Sequence, residues 1–502
     1  MADPDVVVVG GGIAGLTCAA FLARQGLDVT LLERDDRLGG LARSVKVDDW
    51  LIPANFGRTD GFHEGDPKSR ILEHLGLLER LRPTPCDTVC EIRIDDFRLT
   101  VPAGFDAARE AFVAAFPADE RGVRRALGSF ERLAGEVERL ADDSRSAALR
   151  FLAFPLFYPA IFRLRGRTCA ELLRSRLRDP RARVALGAFA QLIGTSPADA
   201  GAMACALAAT AALRRPIAVP GGGRSLAQGL ADVAREAGAE VRTKTPVTSV
   251  WTDGRRVRGV RTAAGEVPAK VVVLNAPALV AFGSLVDRDA VHAGYLQRLG
   301  LMKPSASASV LLLAVRAPRA ELAATADLVV VHAGDDPDAH VAALDEDSVA
   351  GRTMTVAVHP PAPGSDAPPD VTLLTAVVPD RIGRWAGADQ ARRAEQAEEA
   401  RASMLARLGF LHPVLSSRVA ASRLLTPLDL SEWTGDPDAS LFGWEPSPSQ
   451  SGTQRLEQQT PVDGLLLAGA WTTPGGGYGN TMLSGFLAGL QSAMALGKRV
   501  RM

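Results

Sequence analysis

At 502 residues and 47% hydrophobic composition, the chain is long enough for two to four structural units of roughly 100–200 residues and apolar enough to bury large cores. Fifty-seven basic residues against 58 acidic ones leave a formal charge of -1, with no long block of one sign, which argues against nucleic acid as a partner. The five cysteines, Cys18, Cys86, Cys90, Cys169 and Cys205, are odd in number and scattered, a usage that suits a reducing compartment and not a disulfide framework. Cys86 and Cys90 are the one close pair; without two further His or Cys ligands they read as buried thiols, and no metal site is expected.

Only MADPD precedes the first apolar strand, which leaves no room for a targeting peptide and makes the cytoplasm the expected location. The first forty residues then read as a βαβ unit: strand VVVVG, helix IAGLTCAAFLARQG and strand DVTLLE. Gly10, Gly12 and Gly15 set G-x-G-x-x-G between strand and helix, and Glu33 ends the second strand. In that setting Gly10 permits a tight turn, Gly12 lets a pyrophosphate approach the backbone, and Gly15 lets helix and strand pack closely. The helix N-terminus adds free N–H donors and partial positive charge. A carboxylate at Glu33 can accept hydrogen bonds from ribose hydroxyls and would repel a 2′-phosphate, which favours the ADP moiety of FAD or NAD over NADP. A second glycine pair in RLGGLARS, Arg37 to Ser44, suggests that more of a long cofactor lies along the backbone, and tilts the reading to FAD.

From about 65 to 216 the chain reads as helical and rich in Ala, Leu and Arg, the first part of a substrate domain. It contains FLAFPLFYPAIF, Phe151–Phe162, flanked by Arg150, Arg163, Arg165 and Arg167. Even fully helical this segment would rise only about 18 Å against a hydrocarbon core of roughly 30 Å, so it cannot span a membrane. Two readings stand: a buried segment of the substrate domain, or shallow peripheral insertion with basic side chains at anionic headgroups. The nucleotide-domain style returns in VPGGGRSLAQGL and ends in the apolar strand Val271–Leu274. A second excursion follows, with strands SASVLLLAV, TMTVAV and VTLLTAVV, a proline-rich connection and a charged helix from Asp389 to Leu408. After Gln454 the chain re-enters the first domain through DGLLLAGAW and closes on PGGGYGNTMLSG.

The expected fold is therefore α/β: a Rossmann-like FAD-binding domain of the glutathione reductase type from residues 1–85, 217–283 and 455–502, with an inserted α+β substrate-binding domain from residues 86–216 and 284–454. A helix is expected from Asn480 or Thr481 to Leu496, its N-terminus aimed at the flavin pyrimidine ring, where roughly half a positive charge would meet negative charge developing on the ring.

The N-terminal fingerprint, the mid-chain return through PGGG and VVVLNAP, and the C-terminal LLLAGAWTTPGGGYGNTMLSG together resemble the FAD-dependent phytoene desaturase, carotenoid isomerase and retinol saturase-like group of the flavin amine oxidase superfamily. The resemblance covers nearly the whole chain. It implies that Gly10, Gly12, Ile13, Ala14 and Gly15 hold the pyrophosphate and that Glu33 and Arg34 meet the adenosine ribose. By the same analogy Gly39, Gly40, Leu41, Ala42 and Arg43 lie along the ribityl and phosphate stretch, Val247 offers its backbone to adenine, and Gly469, Gly479, Asn480, Thr481 and Met482 surround the flavin end. Many amine oxidases carry an arginine directly after the glycine pair, where this chain has Leu41. They also carry a lysine on a strand leading into the substrate domain, where SASASVLLLAV has none and Lys303 precedes it. The first departure looks more like the retinol saturase and desaturase pattern, and both count against amine oxidation without excluding it.

The resemblance thus implies an FAD-dependent oxidoreductase that desaturates, saturates or isomerises C=C bonds of a small apolar, polyene or isoprenoid-like substrate. A flavin oxidase of amines or secondary-metabolite intermediates is the alternative, and a lipid-binding escort protein without turnover is the third reading. Candidate catalytic side chains are His63, after a segment expected near the flavin, and Tyr478, within the glycine motif, for which packing is the competing role. Asp429, in TPLDLSEW, is equally explained as a helix cap.

Overall fold

The computed structural model describes residues 3–59, 66–141, 154–336, 346, 348–359 and 368–500. Among them, two main sheets use β1 (Val6–Val9), β2 (Val29–Leu32), β3 (Thr88–Ile94), β4 (Phe97–Pro102), β5 (Glu240–Arg242) and β6 (Val271–Leu274). The later strands are β7 (Ser307–Val315), β8 (Leu328–His332), β9 (Met354–His359), β10 (Thr372–Asp380), β11 (Val419–Leu425) and β12 (Leu465–Leu467). Four helices matter for the site: α1 (Ile13–Arg24), α2 (Gly222–Glu236), α3 (Pro427–Thr434) and α4 (Tyr478–Ala495).

The first sheet runs β5-β2-β1-β6-β12, every neighbour parallel. A parallel sheet is covered on both faces, which is why β1 is four valines without alternation. Val6 and Val8 join the core built with α1, α2 and α4. Val7 and Val9 point the other way, against the antiparallel sheet of residues 247–268 and Trp444. The strand order reverses between β1 and β6, and the crevice beyond their carboxyl ends is where such sheets bind ligands. Helix α4 lies along α1, and the approach is close enough that a Cβ on Gly485 would fall under 3.0 Å from the Ala14 backbone.

The second sheet runs β11-β7-β10-β9-β8-β3-β4 and is antiparallel except where β8 meets β3. That parallel pair joins the two excursions of the chain into one layer. It also corrects the all-helical expectation for residues 65–216. The hairpin β3–β4 lies inside that stretch, turning at Asp95, whose backbone φ of +51° is a left-handed conformation that Asp tolerates. Helix α4 begins at Tyr478, earlier than Asn480 or Thr481, because Gly477 is the last positive-φ residue before it and its carbonyl accepts the Thr481 N–H to close the first turn.

Among the described residues no helix is long and apolar enough to cross a membrane. Of Phe151–Phe162, residues 151–153 lie outside the described set. The remainder is divided: Tyr158 and Ile161, like Leu164 just beyond, are buried in the helical core, while Leu156 is 83% and Phe162 38% exposed. Arg165 stacks its guanidinium 4.2 Å from the Phe162 ring centroid.

Candidate cofactor and substrate site

The site begins with backbone. Gly10, at φ +100°, turns the chain out of β1, and a Cβ there would collide with the Asn275 carbonyl. Helix α1 then opens on Gly12 with no side chain capping its first turn, so its N–H groups remain available to an anion. Glu33 closes β2 beside this turn: one carboxylate oxygen accepts the Gly11 N–H at 2.6 Å and the other the Asp35 N–H at 2.9 Å. Arg34 reaches across to the C-terminus of α3, donating to the Glu432 carbonyl at 2.5 Å.

The second glycine pair docks on the first. Gly39 donates its N–H to the Gly11 carbonyl at 2.7 Å, and Arg43 donates to the Gly40 carbonyl at 2.6 Å while pairing with Asp35 at 3.2 Å. Beyond β12 the C-terminal loop is pinned from inside. Ser484 accepts the Gly469 N–H at 2.9 Å and shares a hydrogen bond with Thr472 at 2.7 Å.

A cavity of about 570 Å³ links these parts. Its wall includes Gly10, Gly12, Ile13, Ala14, Glu33 and Arg34 at one end; Gly39, Gly40, Leu41, Ala42 and Val247 along it; and Gly469, Tyr478, Asn480 and Thr481 at the C-terminal loop. Four of the expected residues do not line it. Gly15 faces the Gly10 carbonyl, where any Cβ would clash, so its part is strand–helix packing. Arg43 turns to Gly40, Asp35 and the Trp433 ring. Gly479 is buried in the first turn of α4, and Met482 is fully buried in the core beneath it.

Tyr478 packs its ring against Gly223 of α2, and its buried hydroxyl finds no hydrogen-bond partner among the described residues. Burial pushes that phenol far above its usual range, so it stays protonated and can donate a hydrogen bond but not serve as a base. His63 lies outside the described residues. Asp429 is a capping residue: its carboxylate accepts the Thr426 N–H at 2.7 Å and hydroxyl at 2.8 Å, closing the capping box of α3. Lys303 pairs with Glu445 at 3.2 Å on an exposed stem.

Sequence reasoning missed three residues. Asn275, at the carboxyl end of β6, donates to the Gly10 carbonyl at 3.2 Å and stands between the glycine turn and Gly469. Its signal was a polar residue ending the apolar strand VVVL, where parallel sheets place ligand contacts. Phe442 wedges between Gly194 and Gly476, so closely that a Cβ on either glycine would clash with it. Asp436 lines the cavity with its carboxylate on the Ser440 N–H at 2.6 Å, and burial pushes that carboxyl above the usual range.

Beyond the C-terminal loop the cavity floor is one face of the second sheet. Val310, Val377 and Thr355 stand in register across β7, β10 and β9, and Leu328 and Val89 extend the wall to β8 and β3. Four strand spacings of about 4.8 Å make this floor roughly 19 Å long. At its far side Arg58 donates to the Thr88 and Val89 carbonyls at 3.1 and 3.3 Å and pairs with Asp327 at 3.0 Å.

The family model of flavin containing amine oxidoreductases matches residues 13–496. The chain belongs to that family. Its similarity to the hydroxyneurosporene desaturase of Cereibacter sphaeroides is 29% identity covering 96% of each chain. The zeta-carotene-forming phytoene desaturase of Myxococcus xanthus is 28% identical over 95% of this chain and 92% of its own. The chloroplastic prolycopene isomerase of Daucus carota is 23% identical over 98% of this chain and 80% of its own. A putrescine oxidase with redesigned cofactor binding shares the fold at a TM-score of 0.67 and 15% identity, covering 99% of both chains. An oxidoreductase from Methanosarcina mazei does so at 0.62 and 15%, covering 97% of this chain and 99% of that one. This member of the family is an oxidoreductase enzyme whose cofactor is FAD. The residues fit that group: an uncapped helix start for phosphate, a carboxylate at the end of β2 for ribose, and a cavity that runs unbroken from both to a second glycine loop.

Proposed function

We propose that this FAD-dependent oxidoreductase acts on C=C bonds of an apolar, polyene or isoprenoid-like chain, by desaturation, saturation or isomerisation. The observation that carries the reading is the floor of Val310, Val377, Thr355, Leu328 and Val89, a slot roughly 19 Å long that leads from the C-terminal glycine loop across the second sheet. Such a slot suits an extended hydrocarbon, whose transfer from water it favours at about 25 cal/mol per Å² of apolar surface. The names of the desaturase and isomerase relatives support the same class.

When bound, FAD supplies two-electron, hydride-accepting chemistry. The chain supplies position. Gly10, Gly12, Ile13 and Ala14 would hold the pyrophosphate, Glu33 and Arg34 the ribose, Gly39 to Ala42 the middle and Val247 the adenine. Gly469, Asn480 and Thr481 would hold the flavin end. Asn275 fixes the turn of Gly10, and Phe442 packs between Gly476 of the C-terminal loop and Gly194 on the wall of the same cavity. Tyr478 would serve the wall by packing, since its hydroxyl is buried against Gly223 of α2 and not open to the cavity. Desaturation removes a hydride and a proton, and no side chain here needs to serve as a strong base: once an allylic hydrogen has left as hydride, the proton beside the resulting cation is acidic enough to pass to water or another weak acceptor.

The exposed Leu156 and Phe162, with Arg163 and Arg165 beside them, support a second part of the reading: this edge inserts shallowly into an anionic lipid surface, from which an apolar substrate would come.

The deciding experiment is anaerobic incubation of the holoenzyme with acyclic polyenes in vesicles, followed by flavin absorbance and product analysis. A changed double-bond pattern, with bleaching if the reaction is a net oxidation, is expected. No change with any polyene, together with flavin reduction by an amine, would overturn the reading.

A further inference from the structure

Behind the C-terminal loop, on the side away from the cavity, lies Arg455. It is only 4% exposed, yet among the described residues no carboxylate pairs with it. Its partners are backbone carbonyls: Nε donates to Thr472 at 3.2 Å, and one terminal nitrogen donates to Phe442 at 2.9 Å and Ala470 at 2.5 Å. A buried guanidinium normally finds an acid, because desolvating its charge is costly. Here that cost shows as a depression of its pKa to about 10, caused by burial, which still leaves it charged at neutral pH.

The carbonyls it holds are informative. In a planar trans peptide the C=O and the following N–H point in opposite directions. Arg455 draws the Ala470 carbonyl away from the cavity, so the Trp471 N–H is aimed toward it; both residues line the cavity, and that N–H has no partner among the described residues. Gly475 lies against the same guanidinium, 3.3 Å from where its Cβ would be. One peptide layer therefore separates an unneutralised positive charge from the end of the cavity assigned to the flavin.

We propose that Arg455 is a positioning residue for the bound FAD: it orients the Ala470–Trp471 peptide toward the flavin end and supplies the fixed positive charge that favours the reduced cofactor. The proposal rests on the reading of Gly469 to Thr481 as the flavin end. Two-electron reduction adds negative charge to the pyrimidine side of the ring, and a preoriented donor backed by a cation in a water-poor layer stabilises it. Phe442, which lines the same cavity, has its carbonyl held by the same side chain, so that part of the wall is tied to the charge.

A small pocket of about 260 Å³ borders Arg455 on its outer side, lined also by Gln458, Thr473, the exposed Glu457, and Gln491, whose side-chain oxygen is buried and unpartnered. It offers a way to test the charge without touching the hydrogen bonds. The measurement is the midpoint potential of bound FAD in Arg455→Gln, Arg455→Lys and the isosteric Gln491→Glu. Arg455→Gln should lose at least tenfold of the preference for reduced over oxidised cofactor, about 30 mV for a two-electron couple. Arg455→Lys should retain most of it, and Gln491→Glu should shift it in the same direction as Arg455→Gln. If Arg455→Gln does not fold, Gln491→Glu carries the test, with every Arg455 bond in place. A shift below twofold, about 9 mV, in the charge variants overturns the proposal. Asn480→Asp, on the cavity wall itself, separates the two levels. If it moves the potential and visible spectrum while the Arg455 series does not, only this proposal fails; if it too is silent, the placement of the flavin fails with it.

Discussion

Gly485 rests on the backbone of Ala14, with no room for a Cβ between them. This contact brings the last long helix onto the first and fixes where both N-termini point, so the two glycine loops share one cavity. Gly485→Ala is expected to cost about 1–3 kcal/mol by overpacking against backbone that cannot yield, and to lower FAD occupancy. Gly300→Ala, at a helical glycine with nothing within 4 Å, should be neutral or stabilise by up to about 1 kcal/mol. Thermal unfolding and the 450-to-280 nm absorbance ratio distinguish them.

Val377 sits mid-row on the cavity floor, between Val310 and Thr355. Val377→Phe should leave FAD bound, because the position lies on strand β10 of the second sheet and not in the glycine loops, yet block an extended substrate. Turnover of long polyenes is expected to fall at least tenfold, with shorter ones less affected. Equal loss for every chain length would contradict the slot.

At the exposed edge, Leu156→Asp combined with Phe162→Asp should abolish flotation with anionic vesicles while the unfolding midpoint stays close to that of the parent, since both side chains are turned outward. Neutral vesicles should bind the parent less, and added salt should weaken binding to anionic ones. Unchanged flotation of the double variant would rule this edge out as the contact.

His359 gives a pH signature. Its imidazole pKa is lowered to about 4, chiefly by burial, with Asp327 opposing and Arg58 reinforcing the shift, and it hydrogen-bonds Thr375 at 2.8 Å. Between pH 6.5 and about 4 the unfolded chain therefore binds a proton that the native state does not, so stability rises with pH across that window. On the order of 3 kcal/mol is at stake by its lower end. Replacement by Gln, which can keep the Thr375 bond, should flatten that part of the stability profile. Denaturant midpoints at pH 7 and pH 4.5 provide the check.

What was legible in the sequence was chemistry carried by local backbone. Gly10 and Gly12 with Glu33 pointed to the cofactor because turn, helix start and acceptor fall within one βαβ unit, and Val271–Leu274 and the Val310–Val315 part of β7 were readable as unbroken apolar runs. Asn275, Phe442 and Arg455 were not legible, because each takes its role from a segment remote in sequence: Asn275 from Gly10, Phe442 from Gly194, Arg455 from Ala470. The hairpin at Asp95 was hidden by a turn that uses Asp and no glycine. Cys169 and Cys205, scattered on paper, meet at 3.0 Å between two helices, a proximity that only packing creates.

The first sheet draws β1 and β2 from the start of the chain, β5 and β6 from its middle, and β12 with helix α4 from residues 465–495. A ribosome adding about 5–20 residues per second needs roughly 20–100 s to pass from the first glycine turn to the last helix. For that interval the turn, its apolar strand edge and the α1 face that α4 will cover exist without the elements that complete them. FAD loading is therefore a late event in the life of each molecule. The nascent chain must be kept from aggregating through those apolar faces before the cofactor can contribute any stability to the fold.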